Sequence, residues 1–156
     1  VIESAFVFDK QGRVIRFHLP HGRTGGSIPD SRDLWALMMK HRDILGGVAH
    51  THPGKGYPNP SCTDVTTFSA CELGLGVRLL WPIATVNSLS LWVWEGPDIY
   101  SYIPVLGVPP GFTRGALENI KAGINHLRKL SGMGGFNSSS RGKTRRTKGG
   151  RKWQTK

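Results

Sequence analysis

The stretch GGVAHTHPGKGYPNPSCTD, residues 46–64, decides how this chain is read. An apolar run, VAHTH, carries two histidines two positions apart and then meets a loop of eight residues with three prolines and two glycines. Proline and glycine at that density exclude helix and strand, so residues 53–60 form a turn-rich connection. On the extended segment before it, His50 and His52 point to one side, because side chains alternate across a strand. After it, Ser61 and Asp64 stand three apart at the start of a predicted helix, so they share its first turn. If the loop folds back, two imidazoles and one carboxylate converge. Three protein ligands with a free fourth position are the arrangement of a catalytic zinc.

Each half of this pattern has an ordinary reading. A His-x-His pair occurs in surfaces and cores with no metal. Ser-x-x-Asp is a variant capping box, in which serine accepts an amide hydrogen bond and the acid favours the helix N-terminus. Capping and ligation are compatible, since a capped helix holds its carboxylate rigidly. Other metal-dependent patterns fit poorly. A metallo-β-lactamase-like His-x-His-x-Asp-His would need aspartate and histidine where Gly54 and Lys55 stand. A TIM-barrel amidohydrolase needs about 250 residues, and this chain has 156. There is no His-Glu-x-x-His, and the Cys-x-x-Cys half of a deaminase site is missing.

Outward from this stretch the elements alternate. AFVFD and RVIRFHLP flank a Lys10-Gln11-Gly12 turn and read as a hairpin. Ser31 caps a predicted helix to about Arg42, with Leu34, Leu37 and Met38 on one face and Trp35 at its border. Gly46 and Gly47 are read as its end, and residues 48–52 as a short strand. A helix runs from Ser61 to Leu73 and is stopped by Gly74 and Gly76. Residues 77–85, 88–94 and 99–105 read as strands. Thr113 caps a final helix to about Leu130, in which Leu117, Ile120, Ile124 and Leu127 repeat at helical spacing. The order β-β-α-β-α-β-β-β-α predicts an α/β sandwich with a mixed sheet and flanking helices.

Charge separates body from tail. The chain has 21 Lys+Arg and 10 Asp+Glu, a formal net charge of +11. Residues 132–156 hold eight basic side chains and no acid, so the body, residues 1–131, is nearly neutral. The Gly, Ser, Arg and Lys of the tail bury too little apolar area to offset ordering entropy, and disorder is expected there. From Arg141 to Lys156 this tail offers phosphate-type contacts to nucleic acid, non-specific and weakened by salt, with Trp153 able to stack on bases. No apolar run reaches the roughly 18 residues of a membrane span. VIESAFVFDK carries acid inside its apolar stretch and no cleavage site, so no signal peptide is expected. Two cysteines, Cys62 and Cys71, are too few for a disulfide framework, and a cytoplasmic location is expected. Cys71 is expected buried, and His18, His21, His41 and His126 lack ligand-spaced partners. Trp92 and Trp94 share a strand face, where core or groove packing is expected.

The run His50-Thr51-His52-Pro53, followed by Ser61 and Asp64, resembles the JAMM motif of JAB/MPN-type zinc metalloproteases. The opening AFVFDKQGRVI is most similar to their RadC-like prokaryotic branch, and the resemblance covers residues 1–105. It implies a cytidine-deaminase-like sandwich, with zinc held by His50, His52 and Asp64. It also implies hydrolysis of a peptide or isopeptide bond, with Ser61 supporting the oxyanion. The family places a glutamate upstream on the first strand, and Glu3 is the acid placed to match it as general base and acid. The implied partner is a protein or peptide, such as a ubiquitin-like or sulfur-carrier tail. Eight residues separate His52 from Ser61 where the family usually has seven; one extra loop residue costs little and leaves both anchors in place. Two other readings stand beside the hydrolase: a RadC-like nucleic-acid-associated module using the tail, and a non-catalytic MPN scaffold.

Overall fold

A computed structural model describes residues 3–19 and 31–133. The disorder and nucleic-acid readings for the basic tail, including the segment from Arg141 to Lys156, lie outside the described residues, apart from Gly132 and Met133. Met133 is buried, and its N–H donates to the Arg128 carbonyl.

The hairpin of β1 (Ala5–Asp9) and β2 (Val14–His18) is followed by α1 (Arg32–Lys40), β3 (Leu45–Thr51) and α2 (Cys62–Leu75). Then come β4 (Trp81–Ala84), β5 (Leu89–Trp94), β6 (Tyr102–Pro104) and α3 (Arg114–Leu130). The element order is the one the sequence predicts. Six strands form one mixed sheet in the order β2-β1-β3-β4-β5-β6. β3 and β4 are parallel, joined by α2 as crossover, and the other neighbours are antiparallel.

Both sheet faces are covered. On one, Ala5, Val7, Val48, Trp81 and Ile83 meet Leu34 and Met38 of α1 and Phe68, Cys71 and Leu75 of α2. On the other, Phe6, Phe8, Ala49, Leu80 and Leu91 meet Leu117, Ile120, Ile124 and Leu127 of α3. The even and odd positions of β1 and β3 thus serve different cores, so both strands are buried almost throughout. Each large apolar side chain fully buried here contributes about 1.5–3 kcal/mol. Trp92 packs in the α1/α2 core, as expected, with Trp94 beside it.

The boundaries depart from the sequence reading at glycines. Gly46 and Gly47 lie inside β3 rather than ending a helix. A Cβ on Gly47 would collide with the Leu80 carbonyl and the Phe8 ring, so glycine there permits close approach of two backbones. Gly74 does not stop α2 either. A Cβ there would come within 2.7 Å of the Trp35 ring, so the glycine admits α1 against α2, and the stop is Gly76 at φ 74°. β4 is shorter than predicted because Leu79 donates its N–H to the Glu72 side chain and Leu80 pairs with Gly47 only as an isolated bridge. Ile99 and Tyr100 are exposed, so β6 starts only at Tyr102. No helix among the described residues is long and apolar enough to cross a membrane.

Candidate metal centre

β3 delivers both histidines. Its even positions face α1 and α2, so His50 follows Val48 into that side and His52, one residue past the strand, continues the same row. His50 is 4% exposed and stands edge-on to the Phe68 ring of α2, centroids 6.1 Å apart. The carboxylate comes from the start of α2. Ser61 is the N-cap: its hydroxyl accepts from the Asp64 N–H at 3.0 Å, and its own N–H donates to Asp64 Oδ2 at 2.9 Å. This closed capping box fixes the Asp64 side chain in the first turn.

The proline-rich loop between the two anchors is tied to the β4–β5 turn. Thr85 Oγ1 donates to the Gly56 carbonyl at 2.7 Å, and the Gly56 N–H donates to Asn87 Oδ1 at 2.8 Å. Ser90 Oγ donates to the Pro58 carbonyl at 2.6 Å, and the His52 N–H to the Ala84 carbonyl at 2.8 Å. The eight-residue connection therefore reaches from strand to helix without separating its ends. The parallel pair also sets the location, since ligands of α/β sheets gather beyond the carboxyl ends of parallel strands.

His50 Nε2 and His52 Nε2 are 3.2 Å apart. Asp64 Oδ2 is 2.8 Å from His52 Nε2, and Asp64 Oδ1 is 3.3 Å from His50 Nε2. Among the described residues, His50, His52 and Asp64 form the His/Cys/Asp/Glu group close enough to hold a metal, with ligand atoms within 4.8 Å of one another. A tetrahedral ion with bonds of about 2.0–2.1 Å has ligand–ligand edges of about 3.3 Å. The His50–His52 separation is close to that value, while the two imidazoles meet different oxygens of the Asp64 carboxylate, so each nitrogen faces one oxygen.

Two imidazole nitrogens facing one carboxylate form a trap for positive charge, whether proton or metal. The hydrogen bond to Asp64 raises the His52 pKa against the opposing effect of burial, and the Asp64 and Glu3 charges add to the rise. Burial pushes Asp64 upward, but hydrogen bonds from His50 and His52 outweigh it and hold the carboxyl well below its ordinary range. One feature falls short of a complete ligand shell. His50 Nδ1 is buried with no hydrogen-bond partner among the described residues, whereas a metal-bound imidazole usually donates its second N–H.

Glu3 stands where the antiparallel register sends it. The pairs Ala5↔His50, Phe6↔Ala49 and Val7↔Val48, continued by two steps, set Ser4 against Thr51 and Glu3 against His52. The Thr51 N–H donates to the Ser4 carbonyl at 2.9 Å, as that register requires. Glu3 is half-buried, and its charge acts on His52. Ser61 is exposed beside Asp64; its oxygen is engaged as an acceptor within the cap. Cys62 is exposed next to it, whereas Cys71 is buried, as expected of a small apolar residue.

Two supports of the site escaped the sequence reading. Glu72, 3% exposed, accepts from Arg78 Nη1 at 2.8 Å, Leu79 N at 3.1 Å, Trp81 Nε1 at 2.8 Å and Tyr102 OH at 2.7 Å. It thereby fastens the last turns of α2 to β4 and β6. The available signal was an acid at helical spacing between Phe68 and Leu75, in a stripe that must be buried. Thr51 is the second support; it lies between the two histidines and is fully buried. No protein-family model matches the chain, and no curated protein matches it.

Proposed function

We propose that this chain is a zinc-dependent peptidase or isopeptidase of the JAMM type. The observation that carries the proposal is the convergence of His50, His52 and Asp64, with ligand atoms within 4.8 Å of one another, from two elements joined by a loop tied to the β4–β5 turn. The order of the motif residues along the chain supports it independently. Two imidazoles and one carboxylate suit zinc better than calcium or magnesium, which take shells of oxygen.

When bound, zinc supplies a water acidified to a pKa of about 7 and a positive charge beside the scissile carbonyl. The protein residues divide the rest. Glu3, opposite His52, takes the proton from the attacking water and returns it to the leaving nitrogen, acting as base and then as acid. The Ser61 hydroxyl accepts from its own helix and keeps its proton for the carbonyl oxygen as negative charge grows there. Loss of one such donor typically costs about 2.7–4 kcal/mol of transition-state stabilisation. The positive end of the α2 dipole adds to the field there, since Ser61 is its N-cap.

The test has two parts. Elemental analysis and titration of the folded chain are expected to give one zinc per chain, lost in His52→Ala and kept in Glu3→Gln. Against a panel of peptide and isopeptide linkages, including conjugates through ubiquitin-like and sulfur-carrier tails, wild type turns over and Glu3→Gln does not. A folded chain that takes up no divalent ion defeats the metal site, and equal turnover by Glu3→Gln defeats the assigned chemistry.

A further inference from the structure

We infer that Thr51 is a positioning residue: its buried hydroxyl replaces a main-chain acceptor and sets Glu3 against the histidine pair. The inference rests on the metal-site reading above for its purpose, though not for its geometry.

In a regular antiparallel ladder Ser4 and Thr51 would exchange two main-chain hydrogen bonds. One of them is present, from the Thr51 N–H to the Ser4 carbonyl at 2.9 Å. In the other, the Ser4 N–H donates at 3.0 Å to Thr51 Oγ1 instead of the Thr51 carbonyl. The same hydroxyl lies 3.4 Å from the Ser4 carbonyl, on which its proton is directed. Thr51 is 0% exposed and Ser4 4% exposed, so water does not compete for these groups. The hydroxyl therefore carries the ladder one step beyond β1, where β1 itself has already ended at Ala5.

That step matters because Glu3 is the next residue. Side chains alternate, so a clamp at Ser4 that preserves register leaves Glu3 on the same face as Ala5, His50 and His52. A slip or fraying at Ser4 turns Glu3 away from His52. Thr51 itself faces the opposite side, with Ala49, so it touches neither ligand nor metal and acts through the backbone alone. A β-branched residue is also stiff at χ1, which holds the hydroxyl against the main chain.

The experiment uses the full chain loaded with cobalt(II), which accepts zinc-type donor sets and is paramagnetic. Carbon NMR of the Glu3 side chain reads its nearness to the metal, and the remaining amide spectrum reports the fold. Thr51→Val keeps shape and removes the hydroxyl; Thr51→Ser restores it. The expected result is a large paramagnetic shift at Glu3 in wild type and Thr51→Ser and its loss in Thr51→Val. Cobalt affinity should stay within about tenfold, because His50, His52 and Asp64 are untouched. An undiminished Glu3 shift in folded Thr51→Val overturns the inference.

A second readout needs no metal. Exchange of the Ser4 amide should be slow in wild type and Thr51→Ser, and faster by on the order of tenfold or more in Thr51→Val. Failure of cobalt to bind any of the three proteins strikes the metal-site reading, and the Ser4 amide then decides the clamp alone. Fast Ser4 exchange in the wild-type protein overturns it even if Thr51→Val does not fold.

Discussion

The substitution Glu72→Gln exchanges one carboxylate oxygen for an NH2 group and leaves the side-chain volume nearly unchanged. Its cost follows from the four donors that converge there. Leu79 N and Trp81 Nε1 share Oε2, while Arg78 Nη1 and Tyr102 OH share Oε1. With NH2 in the place of Oε2, two fixed and buried N–H donors lose their acceptor, at about 1–3 kcal/mol each. With NH2 in the place of Oε1, the Tyr102 hydroxyl can turn to accept, and Arg78, whose side chain is 52% exposed, can reach water. The protein takes the second arrangement and loses the charge-assisted bonds, for about 2–3 kcal/mol. At about 4 °C per kcal/mol for a domain of this size, Tm falls by roughly 10 °C. Urea denaturation is the assay, with an unchanged m-value as the sign that only stability has moved. Tyr102→Phe, which leaves a charged carboxylate and three donors, should cost only about 1 kcal/mol. If Glu72→Gln proves as stable as wild type within about 0.5 kcal/mol, the carboxylate is not the tie between α2 and the sheet.

Four shorter predictions concern the site and its frame. In metal-free protein the lowered Asp64 pKa adds stability that is present above its unfolded value and is lost as acid protonates it. The raised His52 pKa adds stability that is full below about 6.5 and is lost as pH climbs through the raised value. Metal-free stability should therefore peak in mildly acidic solution, and denaturation curves of Asp64→Asn should lack that peak. Metal affinity should run the opposite way, tightening as His52 gives up its proton; a titration showing weaker binding at pH 8 than at pH 6 would contradict the ligand assignment. Gly47→Ala should destabilise by about 2 kcal/mol or more, since the new methyl meets the Leu80 carbonyl, and an unaffected melting curve would refute that. Thiol labelling should modify exposed Cys62 quickly and spare Cys71, whose thiol is buried and pushed up to about 11.

How much of this was legible depends on the range of the interaction. Periodicity is local, so the element order, the Ser31, Ser61 and Thr113 caps and the apolar face of α3 could be read directly. The ligand trio was legible because each half of it obeys a local rule: alternation for His50 and His52, first-turn geometry for Ser61 and Asp64. Glycines were misread because their reason lies elsewhere in the chain. Gly47 answers to Leu80 and Phe8, and Gly74 to Trp35, and no window around either position contains that partner. Glu72 and Thr51 were missed for the same reason: a buried polar side chain is justified by donors and acceptors that only the folded sheet assembles.

Those long-range ties explain how the fold itself brings the three side chains together. A metal ion must otherwise order its own ligands, and the entropy of ordering is subtracted from its affinity. Here the capping box fixes Asp64, and the alternation of β3 fixes the histidines. Phe68, stacked on Trp81 at 4.3 Å between ring centroids and edge-on to His50, fills the space between helix and sheet. The desolvation of the Asp64 carboxylate is thus met within the fold by its two histidine partners. A carboxylate facing two imidazoles favours a positive charge beside it, which His52 supplies as a proton when no metal is bound. The metal-free protein should consequently gain stability on adding zinc by an amount that follows ligand concentration over Kd, and His52→Ala should gain none. Equal stabilisation of both proteins by zinc would place the ion elsewhere on the chain.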